Sequence, residues 1–104
     1  MIFEMRTYQL KPGALANYVR HFEKVGLPIV SRYCSLAAYW IAESGALNRV
    51  IHVWSFDDLE ARRQAHERWM TDPDWAGLFL PVALPMVVSQ ESIYLSAASF
   101  SPIR

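Results

Sequence analysis

Residues 48–56, Asn-Arg-Val-Ile-His-Val-Trp-Ser-Phe, restrict the fold of this chain more than any other stretch. β-Branched and aromatic side chains dominate it, and both alternating sets are apolar, with Val50, His52, Trp54 and Phe56 on one face and Ile51 and Val53 on the other. A strand with water on one side alternates apolar with polar residues. One that is apolar on both sides is covered on both and belongs in the middle of its sheet.

The rest of the chain arranges itself around that strand. Residues 2–10 alternate, with Phe3 and Met5 opposed to Glu4, Arg6 and Tyr8, and predict a first strand ended by Lys11-Pro12-Gly13. From Ala14 the period becomes helical: Leu15, Tyr18, Val19, Phe22, Val25 and Ile29 form one stripe, and Gly26 and Pro28 are expected to close the helix. Residues 33–43 predict a strand with Leu36, Ala38, Trp40 and Ala42 on one face and Ala37, Tyr39 and Ile41 on the other, joined as a hairpin to the central strand through Ser44-Gly45. Asp57-Asp58 offers a carboxylate cap to a helix reaching about Met70, and Asp72-Pro73 repeats the signal for an extra helix that Pro81 and Pro85 keep short. Residues 86–95 return to strand composition, and residues 97–104 read as a tail.

The order is strand, helix, strand, strand, helix, extra short helix, strand, an α+β ferredoxin-like βαββαβ plan occupying residues 1–104 as a single domain. Both main helices then cover one sheet face and leave the other bare. Four Trp, five Tyr and five Phe bury roughly 150–250 Å² each, more than one small helix-on-sheet core takes up, so the bare face is expected to meet a second copy. Net charge is +0, which gives no electrostatic footprint for nucleic acid. The single cysteine, Cys34, excludes an internal disulfide, lacks zinc-site neighbours and suits a reducing compartment. No apolar run is long enough to span a membrane and no targeting segment is evident, so the expectation is a cytoplasmic protein without a cofactor.

Short motifs add to this in their order and spacing. Arg6-Thr7-Tyr8 with Lys11-Pro12-Gly13, Glu43-Ser44-Gly45 with Leu47-Asn48, His52-Val53-Trp54, Arg62, Asp72-Pro73-Asp74-Trp75 and Ser99-Phe100-Ser101-Pro102 together resemble the NIPSNAP family over nearly the whole chain. The resemblance implies a dimeric α/β barrel, two ferredoxin-like protomers stacked sheet to sheet around a shared interior. It implies no settled activity. Eukaryotic members are associated with mitochondria and with vesicle or protein-interaction roles, while the wider superfamily includes cofactor-free monooxygenases, haem-degrading enzymes and isomerases. Kinship of that kind carries little functional weight.

Strands one and three are neighbours in this plan, so Arg6 and Tyr8 come alongside His52 and Trp54. If that face points into the barrel, the group suits a small acidic or aromatic molecule oriented by Arg6 and stacked on Trp54, with His52 as the candidate catalytic acid or base. Asn48 is added as a candidate ligand contact, because Asn with Trp on one strand face marks the cofactor-free monooxygenases. The competing reading makes Trp54 interface core, pairs His52 with a strand neighbour and Arg6 with Glu4 or Glu43, and leaves a non-enzymatic structural or interaction module. Arg63, His66 and Glu67 read as a solvated helix face and Arg62 as a structural tie to Asp72 or Asp74. No second histidine stands three or four residues from His21, Cys34 has no adjacent base, and nothing favours His52 or His66 as a haem ligand, so no metal site is expected.

Overall fold

A computed structural model describes residues 1–104. Strands β1 (Ile2–Leu10), β2 (Ser35–Ile41), β3 (Arg49–Phe56) and β4 (Val87–Leu95) form one antiparallel sheet in the order β2-β3-β1-β4. The two-sided apolar strand β3 is central, as its pattern required. Tyr8, Leu10, Val50, His52 and Trp54 are buried beneath the helices, whereas Met5, Thr7, Ile51 and Val53 look out from the opposite face and are only half-buried.

The register skips a residue between Leu36 and Ala38, so the simple alternation expected for β2 breaks there. Leu36 and Tyr39 both turn inward, opposite Trp54 and His52, while Ala38 and Trp40 turn outward opposite Val53 and Ile51. The bulge lets β2 deliver an aromatic ring to the core and another to the bare face. After Ile41 the chain crosses to β3 through residues 42–48, where Gly45 and Asn48 adopt positive φ, a backbone region that glycine and asparagine tolerate best.

The helical layer differs from its sequence reading at the prolines. Helix α1 (Leu15–His21) continues through a π turn (Phe22–Gly26) into α2 (Leu27–Val30), so Pro28 lies inside the helix instead of ending it. The extra helix does the same: a π turn (Trp75–Phe79) leads into α4 (Leu80–Ala83), which carries Pro81, and a 3₁₀ turn (Leu84–Met86) follows. In each case the N–H five residues on, Leu27 to Phe22 and Leu80 to Trp75, closes the wide turn just before a Leu-Pro pair. Proline has no N–H to give and its ring collides with the carbonyl four residues back; one widened turn accommodates both without breaking the helix.

Helix α3 (Leu59–Met70) starts where expected, with Asp58 Oδ1 accepting from the Ala61 N–H at 2.7 Å. Asp72 accepts from the Asp74 N–H at 2.9 Å through one oxygen, and from Arg32 (2.8 Å) and the Tyr33 hydroxyl (2.6 Å) through the other. The arginine that ties this corner is therefore Arg32 and not Arg62, which instead reaches under the helix to Glu4. The two π turns meet where Gly26 packs on Phe79, so closely that a Cβ on Gly26 would lie 2.6 Å from Phe79 Cε1 and 2.8 Å from Phe22 Cδ2.

Two stability outcomes follow from these contacts. Gly26→Ala is expected to cost about 1–3 kcal/mol, because both rings it meets are buried and must shift. Urea denaturation reads this as a lower midpoint at constant slope, and an unchanged midpoint would show that the turns do not abut. Asp72→Ala is expected to lower the midpoint as well, since the cap and both cross-ties share that carboxylate; wild-type stability would mean that the corner is not formed in solution.

Candidate functional site

In the register of β1 and β3, Arg6 lies opposite His52 and Glu4 opposite Trp54, while β4 brings Ser92 beside Arg6 and Gln90 beside Tyr8. The sequence reading therefore paired the right residues. Their location differs from the one expected: this face points at the helices of its own protomer and not at the bare sheet face. The alternation that buries Val50 and Trp54 carries His52, Arg6 and Tyr8 with them.

Glu4 is 2% exposed and accepts four hydrogen bonds, from Arg6 Nη1 (3.1 Å), Arg62 Nε (3.1 Å), Arg62 Nη2 (3.2 Å) and Ser92 Oγ (2.6 Å). Burial pushes its carboxyl up, but the Ser92 hydroxyl and the two guanidinium groups overcome this and hold it below its usual range. Arg6 also donates from Nε to the Tyr8 hydroxyl at 2.8 Å. A guanidinium in this position needs such partners, and having them it is no free anchor for an acid. Arg6 does not line the neighbouring cavity, so its expected role as ligand contact gives way to that of holding Tyr8. Asn48 is likewise elsewhere: it precedes β3 in a left-handed conformation, its side chain accepts from the Gly13 N–H at 3.2 Å, and its carbonyl accepts from the Leu10 N–H at 2.7 Å. It fastens the hairpin loop to the end of β1.

His52, Tyr8 and Trp54 do share a cavity of about 40 Å³ between sheet and helices. Trp54 Nε1–H donates to His52 Nδ1 at 2.6 Å, and because an indole can only donate, Nδ1 must carry a lone pair. The imidazole is 4% exposed, stacks on Tyr39 at 5.0 Å between centroids and receives the edge of Tyr8 at 4.8 Å. Burial pushes its pKa down to about 3 and the charge of Arg6 adds to this, with Glu4 offsetting only part. The ring is neutral at physiological pH and bears its one proton on Nε2. It is therefore a fixed donor and not the acid or base expected from an unperturbed histidine.

That Nε2–H has no partner, and neither do the indole N–H groups of Trp69 and Trp75, all three buried and all three from residues that line the cavity. In the sequence Trp69 counts only as aromatic load for an interface, and Trp75 as that and as the end of the Asp72-Pro73-Asp74-Trp75 motif. In the fold, three of the four tryptophans surround this cavity and only Trp40, 54% exposed, belongs to the bare face. The spacing of Trp75 after Asp72-Pro73 was a usable signal, since the cap sets the turn on which Trp75 sits; Trp69 gave none, because its orientation depends on how α3 docks. Elsewhere His21 Nε2 meets the Phe79 carbonyl at 3.0 Å, Arg63 pairs with Glu60 and Glu67 on the exposed face of α3, and no three His, Cys, Asp or Glu side chains gather as a metal-binding group.

A family model, NIPSNAP, matches residues 3–102. The chain belongs to the NIPSNAP family. Protein NipSnap homolog 3A of Homo sapiens is 30% identical over 93 residues, which is 88% of this chain but 37% of that protein, so this NIPSNAP chain spans little more than a third of its curated relative. The crystal structure of an uncharacterized NIPSNAP domain protein from Burkholderia xenovorans superposes with a TM-score of 0.93 at 36% identity, covering 98% of this chain and 99% of that one. An antibiotic biosynthesis monooxygenase shares the fold at a TM-score of 0.68 and 11% identity, over 94% and 99% of the two chains. At that identity the likeness is one of architecture alone. No helix of this NIPSNAP chain is long and apolar enough to cross a membrane.

The state of His52 is open to direct test. Nitrogen-15 NMR of the imidazole should show the neutral Nε2–H form down to at least pH 5, and a titration near 6.5 would contradict the geometry. Because the unfolded histidine takes up its proton near 6.5 and the folded one only near 3, the unfolded state gains protons first as pH falls. Stability should then drop through that window by up to about 1.4 kcal/mol per pH unit from this group, a component that His52→Gln removes.

Proposed function

We propose that this NIPSNAP protein is a homodimer that binds a small, largely apolar organic molecule between the sheet and helices of each protomer. The observation that carries the reading is the cluster of buried, unpartnered N–H groups from His52, Trp69 and Trp75 around one cavity. Buried donors without acceptors are costly, about 1–3 kcal/mol each, and are uncommon unless something else occupies the site. At about 40 Å³ the cavity admits only a few water molecules, well short of the roughly 300 Å³ of an ordinary ligand pocket, so binding must displace its roof. That roof is the Trp75–Met86 helix, which carries the second π turn and supplies Trp75, Phe79, Leu80 and Ala83 to the cavity while Leu78 and Val82 on it stay exposed. Leu84 and Gln90, both exposed, mark the side on which the cavity reaches the surface.

Binding is favoured over conversion. His52 is neutral, its lone pair at Nδ1 is occupied by the Trp54 N–H and burial disfavours its charged form, so it is poorly placed to take a proton, which also weakens a monooxygenase-like reading. The second copy belongs on the bare face, where Met5, Ile51, Val53, Trp40, Ile93 and Leu95 are apolar and incompletely buried. The tail leaves an open groove of about 450 Å³ beside that face, with Phe100 87% exposed at its edge. An apolar sheet face of this kind buries well against its own symmetry mate.

Sedimentation at micromolar concentration is expected to give twice the 12.0 kDa chain mass, and Trp40→Asp to shift it toward the monomer. A folded wild-type monomer would contradict the dimer. Native mass spectrometry of the purified protein is expected to retain a small organic molecule that Ala83→Leu, which fills the cavity, fails to hold. Identical ligand-free masses, together with no thermal shift from any small aromatic probe, would leave a sealed interior and favour the interaction-module alternative.

A further inference from the structure

The chemistry of the cavity wall narrows the ligand class. Three of its lining residues carry buried N–H donors without partners, the Tyr8 hydroxyl is taken up by Arg6, Tyr18 brings a second phenol, and no carboxylate or cationic side chain lines the space. Trp69 and Trp75 can only donate, and His52 is held as a donor because Trp54 occupies its other nitrogen. Gln90, the one other residue of the wall that is not apolar or aromatic, lies at the exposed side. An anion matches such a site poorly: Arg6 and Arg62 are both spent on Glu4, so nothing in the cavity offsets the cost of taking a charge out of water.

We propose that His52, Trp69 and Trp75 form a donor-only site that holds an uncharged carbonyl oxygen of an otherwise apolar ligand. The proposal rests on the pocket reading above and names the substrate class for it. A carbonyl oxygen accepts two hydrogen bonds and requires none in return, so one such oxygen can serve two of the three buried donors. The aromatic walls supplied by Phe22, Trp54 and Phe79 take the remainder of the molecule. The ligand is then neither the organic acid nor the proton-exchanging phenol that a free Arg6 and a titrating His52 would have selected.

Four probes with one skeleton separate the possibilities by calorimetry or thermal shift: acetophenone, 1-phenylethanol, ethylbenzene and benzoate. Acetophenone is expected to bind about ten-fold tighter than ethylbenzene, which is the value of one to two buried hydrogen bonds, and tighter than 1-phenylethanol, with benzoate weakest. Trp69→Phe and Trp75→Phe keep an aromatic ring and remove one donor each, so each should weaken acetophenone by several-fold and leave ethylbenzene unchanged. In the unaltered protein, acetophenone should move the indole N–H resonances of Trp69 and Trp75 and the Nε2–H resonance of His52 downfield, a readout that does not depend on the variants folding. If ethylbenzene binds as tightly as acetophenone, or benzoate binds best, the donor site is wrong while the pocket stands. If none of the four binds, the pocket reading falls and this inference with it.

Discussion

A single buried carboxylate governs what the interior of this protein can do. Glu4 gathers Arg6, Arg62 and Ser92, from its own strand, from α3 and from β4, so one side chain ties three elements of the fold together. Removing one partner would strand the others without compensation, which is why buried ion clusters of this type are costly to break even when they add little net stability. The consequence for chemistry is as large as the consequence for packing. With both guanidinium groups committed to Glu4, the cavity alongside is left without charge, and the docking of α3 through Arg62 accompanies the placement of Trp69 against it.

The second constraint is the pair of widened turns. Leu27-Pro28 and Leu80-Pro81 each follow a π turn, the two turns touch at Gly26 and Phe79, and Phe22 and Phe79 from them line the cavity. Neither helix can be regular there, because an α-helical proline lacks the N–H that the ladder needs. A roof assembled from two irregular turns, two aromatic rings and one glycine is held by packing more than by hydrogen bonds. The proposed binding asks this layer, and not the sheet beneath it, to give way.

Strand order, the central place of β3 and the two capped helix starts were all legible in the sequence, because period-2 and period-3.6 patterns and carboxylate caps are local signals. The meeting of Arg6, Tyr8, His52 and Trp54 was legible as well, since alternation and strand neighbourhood determine it. Four features were not. The direction in which that face points depends on which side the helices pack, and both faces of β3 are apolar. The bulge at Leu36 to Ala38 inverts the facing of Tyr39 without any glycine or proline to announce it. Helices that run through Pro28 and Pro81 contradict the ordinary rule for proline and need tertiary packing to explain them. The loss of Arg6 as an anchor depends on Glu4, two residues away on the same face, winning a competition that spacing alone does not decide.

The most direct measurement is a crystal structure of the protein with acetophenone. The expected result is the ring among Phe22, Trp54 and Phe79 beneath the displaced Trp75–Met86 helix, with its oxygen in hydrogen-bond contact with at least two of His52 Nε2, Trp69 Nε1 and Trp75 Nε1. Acetophenone seated on the bare sheet face, or in the cavity with its oxygen turned away from these donors, would contradict it.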